Sequence, residues 1–92
     1  MIKSFAHAGL ETFFHTGSKK GIQPHHEQRL KRQLFALNHA CKPEDMGVPG
    51  WKLHPLGGKM AGHWSITVNG NWRLTFKFEG QDAFVVDYQD YH

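Results

Sequence analysis

His63-Trp64-Ser65-Ile66-Thr67-Val68-Asn69-Gly70-Asn71-Trp72-Arg73-Leu74-Thr75-Phe76-Lys77-Phe78-Glu79-Gly80-Gln81-Asp82-Ala83-Phe84-Val85-Val86-Asp87-Tyr88 is the stretch that decides the fold. Trp64, Ile66 and Val68 alternate with His63, Ser65 and Thr67. After Asn69-Gly70-Asn71, the residues Trp72, Leu74, Phe76 and Phe78 alternate with Arg73, Thr75 and Lys77. Past Glu79-Gly80-Gln81-Asp82, the residues Phe84, Val86 and Tyr88 alternate with Val85 and Asp87. Period-2 runs separated by Gly/Asn/Asp turns predict consecutive strands of an antiparallel meander, each with one apolar and one polar face.

Upstream, Trp51 to Leu56 predicts one more strand, with Trp51 and Leu53 on one side and Lys52 and His54 on the other. Residues 42–50 are loop by composition. The run from His25 to about Ala40 has a different period: Leu30, Leu34, Leu37 and Cys41 recur at helical spacing, with Pro24 suited to the first turn. A shorter helix is predicted from Ala8 to Thr16, ending at Gly17, and a short strand over Ile2 to Phe5. The expectation is an α+β fold in one compact domain over residues 1–92. Its order is β-α-α-β-β-β, with two N-terminal helices on one face of an antiparallel sheet. The uncovered face then collects Lys52, His54, Arg73, Thr75 and Lys77.

Hydrophobic residues make up 39% of the 92, with three Trp and seven Phe, which suffices for a core and argues against disorder. No stretch has the length and apolarity of a membrane span or of a signal-peptide h-region, so a soluble cytoplasmic protein is expected. The single cysteine, Cys41, can form no internal disulfide. The net charge of +3 is unevenly distributed. Lys19, Lys20, Arg29, Lys31 and Arg32 form a basic patch in the first third that attracts phosphates and anionic surfaces, or is simply a solvated helix face.

The other concentration of chemistry is Asp90-Tyr91-His92, a carboxylate, a phenol and an imidazole directly after a predicted strand. All can donate, accept or relay a proton. The eight histidines invite a metal reading, but the spacings of His25-His26, His54, His63 and His92 match no zinc framework. No phosphate-binding loop or dinucleotide fingerprint is present, and neither a metal nor a cofactor is expected.

The blocks Lys52-Leu53-His54-Pro55-Leu56, Gly62 to Val68, Asn71-Trp72-Arg73-Leu74-Thr75-Phe76 and Asp87 to His92, in this order and spacing, resemble the HigB branch of the RelE/ParE toxin superfamily. The resemblance covers essentially the whole chain. It implies a toxin of a bacterial type II toxin–antitoxin operon with a microbial RNase-like fold, cleaving messenger RNA in the ribosomal A site. It also implies a cognate HigA-type antitoxin, through which alone operator DNA is engaged. By position it marks His54, Arg73, Asp90, Tyr91 and His92 as functional. The reaction implied is metal-independent attack of a 2′-OH on the adjacent phosphorus. Many members carry a lysine after the His-Pro-Leu block and an arginine three positions later; here Gly57 and Met60 stand there, and Lys59 on the same turn is the candidate substitute. Two other readings belong to the same resemblance: a gyrase-inhibiting toxin, or a non-catalytic RNA- or ribosome-binding module.

Overall fold

The structure, a computed structural model, describes residues 1–91. Helix α1 spans Ala8–Thr16 and α2 spans Glu27–His39, the latter entered through a 3₁₀ turn at Pro24–His26. A four-stranded antiparallel sheet follows in the order β1-β2-β3-β4, with β1 His54–Pro55, β2 His63–Asn69, β3 Trp72–Glu79 and β4 Asp82–Asp90. This is the predicted α+β architecture. No helix among the described residues is long and apolar enough to cross a membrane.

The bounds of α1 are those the sequence predicts, and both ends have local causes. The His7 Nδ1 accepts the Leu10 N–H at 2.9 Å, doing the work of an N-cap oxygen. Gly17 closes the helix at φ 80°, where a side chain would be strained, and its N–H returns to the Phe13 carbonyl. In α2, Leu30, Leu34 and Leu37 are buried as predicted. Cys41 is not: the helix stops at His39, Ala40 adopts extended backbone and is buried, and Cys41 is exposed beyond it.

Core packing places Leu30, Leu34 and Leu37 with Leu10 and Phe13 of α1 against Ile66, Leu74, Phe76, Val86 and Tyr88 of the sheet. Cross-strand partners share a face, so the row Ile66–Leu74–Tyr88 defines the covered side.

Three local expectations are corrected. The predicted first strand, Ile2–Phe5, is reduced to two isolated parallel bridges, Ile2 to Ala83 and Phe5 to Val86, along the outer edge of β4. The strand expected over Trp51–Leu56 shrinks to His54–Pro55, because Lys52 turns to φ 55° and breaks the ladder. The loop stays tied to the sheet, as the Thr67 N–H donates to the Trp51 carbonyl at 2.7 Å. The third concerns β4, where Val85 at φ 48° forms a bulge: Thr75 faces Asp87, but Lys77 faces Phe84. The extra residue flips the start of the strand, so Ala83 joins Val86 and Tyr88 in the core and Phe84 moves to the polar side. A second register shift, between Thr67 and Asn69, precedes a two-residue turn led by Gly70 at φ 54°, where Gly meets the positive φ that a tight hairpin demands.

Candidate active site

The uncovered face is an ordered polar array. One row reads Thr67, Arg73, Gln89; the next His54, Ser65, Thr75, Asp87; a third His63, Lys77, Phe84. The sequence-based alternation brings His54 and Arg73 to this face as expected. They lie in adjacent rows with one strand between them, which at about 5 Å per strand step and about 7 Å per row separates their Cα atoms by about 12 Å. That is room for a phosphodiester between two side chains.

Each of the two is fixed by a backbone carbonyl. The His54 Nδ1 lies 3.0 Å from the Lys52 carbonyl oxygen. A carbonyl only accepts, so neutral His54 carries its proton on Nδ1 and presents a lone pair at Nε2. The Arg73 Nη1 donates to the Gly70 carbonyl at 2.6 Å and to the Trp72 carbonyl at 3.1 Å. With five N–H donors in a fixed fork, the guanidinium is oriented by the turn and still has capacity for phosphate oxygens. Beside His54 in its own row, Ser65 and Thr75 are both buried and close the floor. The Gln89 amide nitrogen reaches the Thr75 hydroxyl at 3.5 Å and the Asp87 carboxylate at 2.7 Å. The Ser65 hydroxyl has no hydrogen-bond partner among the described residues.

The C-terminal residues divide. Asp90 pairs in register with Trp72, on the covered side, and its carboxylate acts electrostatically on Tyr88. Tyr91 donates its N–H to the Asn71 carbonyl at 2.8 Å. By strand alternation its side chain falls on the same face as Arg73 and Gln89. His92 lies outside the described residues. Lys59, exposed on the 3₁₀ turn Gly58–Met60, enters β2 at His63. Arg73 faces Thr67, about 13 Å further along β2 at 3.3 Å per residue. The connection that carries Lys59 thus joins β2 at the end away from Arg73 and the C-terminus.

The basic patch, which the resemblance turns toward RNA or the ribosome, does not lie wholly on one face of α2. Lys19 lies 3.6 Å from the Glu27 carboxylate, and Lys20 is exposed nearby. Arg29, Lys31 and Arg32 are exposed on α2, but at 100° per residue Arg29 and Lys31 diverge by about 200°. Lys31 borders an apolar groove with Phe13, Phe14, Leu34 and Phe35, whereas Arg29 borders a polar pocket with His25, His26 and Lys52.

Sequence reasoning missed the role of His26, which is 1% exposed beneath this end of the sheet. Its Nδ1 lies 2.6 Å from the Tyr88 hydroxyl, which also accepts the Gln23 N–H at 3.3 Å. The hydroxyl proton is therefore free to go to Nδ1, and His26 keeps its own proton on Nε2. Burial, reinforced by neighbouring His25, holds the His26 pKa below its ordinary value. Burial raises that of Tyr88; the Gln23 N–H opposes this and Asp90 adds to it. Trp72 stacks on Tyr88 at 4.5 Å, and His26 meets the edge of Trp72 at 5.6 Å. The end of β4 thus rests on an aromatic platform that no local sequence signal announces.

Comparisons with known proteins bear on the family and the fold. The HigB-like toxin family, described as the RelE-like toxin of the type II toxin–antitoxin system HigB, matches residues 3–92. The curated protein Endoribonuclease HigB of Proteus vulgaris is 42% identical over 92 residues, spanning 100% of both chains. Among solved structures, a histidine-to-glutamine mutant of YafQ from E. coli superposes with a TM-score of 0.60 at 16% identity, covering 98% of this chain and 93% of that one. YafQ from E. coli strain BL21(DE3) gives 0.55 at 15% identity with the same coverage. At such identities the two structures share the fold with this chain.

Proposed function

The chain belongs to the HigB-like family of RelE-type toxins from type II toxin–antitoxin systems, and from that premise we propose that it is an endoribonuclease cutting messenger RNA on the ribosome. Membership of such a system implies an antitoxin partner. The observation that carries the reading is the pairing of His54 and Arg73 on the one sheet face that no helix covers, each held by backbone carbonyls. The name of the full-length relative, an endoribonuclease, supports the reaction class.

In the proposed reaction the Nε2 lone pair of His54 takes the proton of a ribose 2′-OH. The 2′ oxygen bonds to the adjacent phosphorus, and the charge gathering on the phosphorane oxygens meets the Arg73 guanidinium. The P–O5′ bond then breaks, and an acid returns a proton to the departing oxygen; His92 is the candidate. The products are a 2′,3′-cyclic phosphate and a 5′-OH end, and no step draws on a metal. Asp90 orients and Tyr91 offers a ring or hydroxyl to a nucleotide. Lys59 is the candidate substitute for the family lysine whose position Gly57 takes. The partners in this reading are a HigA-type antitoxin, the ribosome and its message, with operator DNA reached only through the antitoxin and with action in the cytoplasm.

The test is incubation with ribosomes carrying a defined message, followed by mapping of cut ends. Cuts in the A-site codon with 5′-OH termini are expected, and a 2′-deoxy nucleotide at the cut position should leave the message intact. Undiminished cutting of the deoxy-substituted message would sink the mechanism, and intact normal message would sink the function.

A further inference from the structure

A polar pocket of about 380 Å³ opens at the turn end of β2 and β3, bordered by His25, His26, Arg29, Lys52, Asn69 and Gly70. Two of its residues are the anchors of the candidate catalytic pair. The Lys52 carbonyl holds His54, and the Gly70 carbonyl holds Arg73. The pocket therefore shares its walls with the loop and the turn that hold His54 and Arg73. Its side chains are of one electrostatic kind, with the cations Arg29 and Lys52, the His25 ring and the Asn69 amide, and no carboxylate among the described lining residues. The buried His26, whose Nδ1 is taken by Tyr88, has only its Nε2–H left to offer the space it lines.

The backbone adds a second observation. Lys52 is one of two described non-glycine residues with positive φ, at 55°. The conformation is unfavourable for a residue with a Cβ, and such outliers point toward function. A glycine would have made the same turn without strain, so what lysine adds here is an ammonium in a pocket that Arg29 also lines.

We propose that this pocket is a subsite for an RNA phosphate, adjoining the position of the scissile phosphate, held by Arg29, Lys52 and the His26 Nε2–H. The inference rests on the endoribonuclease reading above for its place beside a cleaved bond. The phosphate belongs either to the message or to ribosomal RNA, and the chemistry of the pocket is the same for both.

Lys52→Gly removes the ammonium while suiting the backbone, so it tests the charge without testing the fold. The experiment combines it with Arg29→Ala and uses messages carrying a single neutral methylphosphonate on either side of the cut site. For a message phosphate, the half-saturating concentration of wild-type protein rises about tenfold at one of the two positions. The double variant starts about tenfold weaker and loses nothing further there. For a ribosomal phosphate, neither position matters, and the double variant binds ribosomes without message about tenfold more weakly. Either result supports the site and identifies its source. The proposal is overturned if wild-type protein cuts, the double variant binds both kinds of ribosome normally, and the effects of methylphosphonate are unchanged by the substitutions. If wild-type protein cuts nothing, the reaction reading fails. The affinity for empty ribosomes, with titration of both proteins by a 2′-O-methyl trinucleotide, then decides the pocket alone: equal binding overturns it.

Discussion

Tyr88→Phe removes one oxygen from beneath the candidate site and leaves the ring in place. Tyr88 is 3% exposed, and its stack on Trp72 at 4.5 Å does not involve the hydroxyl. What is lost is the 2.6 Å bond to His26 and the 3.3 Å bond from the Gln23 N–H. Gln23 is exposed, so water replaces that partner at little cost. His26 is buried, and an imidazole nitrogen left without its donor costs about 1–3 kcal/mol. The expected destabilisation is therefore about 1–3 kcal/mol. For 92 residues at about 2.1 cal/mol/K each, the unfolding entropy is about 0.19 kcal/mol/K, so Tm should fall by about 5–16 °C. Urea unfolding followed by tryptophan fluorescence measures the free energy directly, with Trp72 as a reporter inside the stack. Combining Tyr88→Phe with His26→Leu should recover part of the loss, since replacing both partners leaves no orphaned polar atom. A single substitution costing less than about 0.5 kcal/mol, or strictly additive effects in the double variant, would refute the account of a locked buried pair.

Other expectations follow from the same geometry. Because the folded protein holds His26 below its ordinary pKa of 6.5, the unfolded chain binds the proton more readily. The stability it supports is complete above pH 6.5 and is lost as pH falls from there through the folded value; unfolding titrations at pH 7 and pH 5 should show this, and His26→Leu should flatten the change. Val85→Gly relieves a β-branched residue at φ 48°, worth about 1–2 kcal/mol, against about 0.5–1 kcal/mol of added chain entropy, so stability should rise by about 0.5 kcal/mol in urea unfolding. Arg73→Lys keeps the charge but loses the fork, and single-turnover cleavage on ribosomes should fall by about 10²-fold or more with little change in Tm. Lys59→Ala, at the far end of β2 from Arg73, should keep cleavage within a few-fold of wild type; a loss approaching that of Arg73→Lys would require the connection Gly58–Met60 to fold back over the face.

The parts of the fold written in local pattern were legible. Strands β2 and β3 follow their alternation, α1 ends at the predicted glycine, and the leucine stripe of α2 is core. Legibility fails where the backbone departs from what composition favours. Val85 and Lys52 adopt positive φ, which neither valine nor lysine advertises, so the flip of Phe84 and the truncation of β1 could not be read. The candidate site divides in the same way. His54 and Arg73 share a face by alternation alone, whereas the side taken by Asp90 and the distance to Lys59 depend on the pairing of strands with their neighbours. The His26–Tyr88 bond joins residues 62 positions apart, and nothing near either one in the sequence hints at the other.

The two margins of the sheet are closed by different means, and this bears on solubility. β1 is two residues long and half proline, too short to template another strand. On the other margin the first six residues lie along β4, exchanging N–H groups and carbonyls with Ala83 and Val86, and the Ser4 hydroxyl takes the otherwise stranded Val85 N–H at 2.8 Å. Loss of that leading segment would uncover a row of donors and acceptors beside an apolar strand. Such a strand invites edge-to-edge stacking of chains, so these residues protect the monomer from aggregation as much as they complete its core.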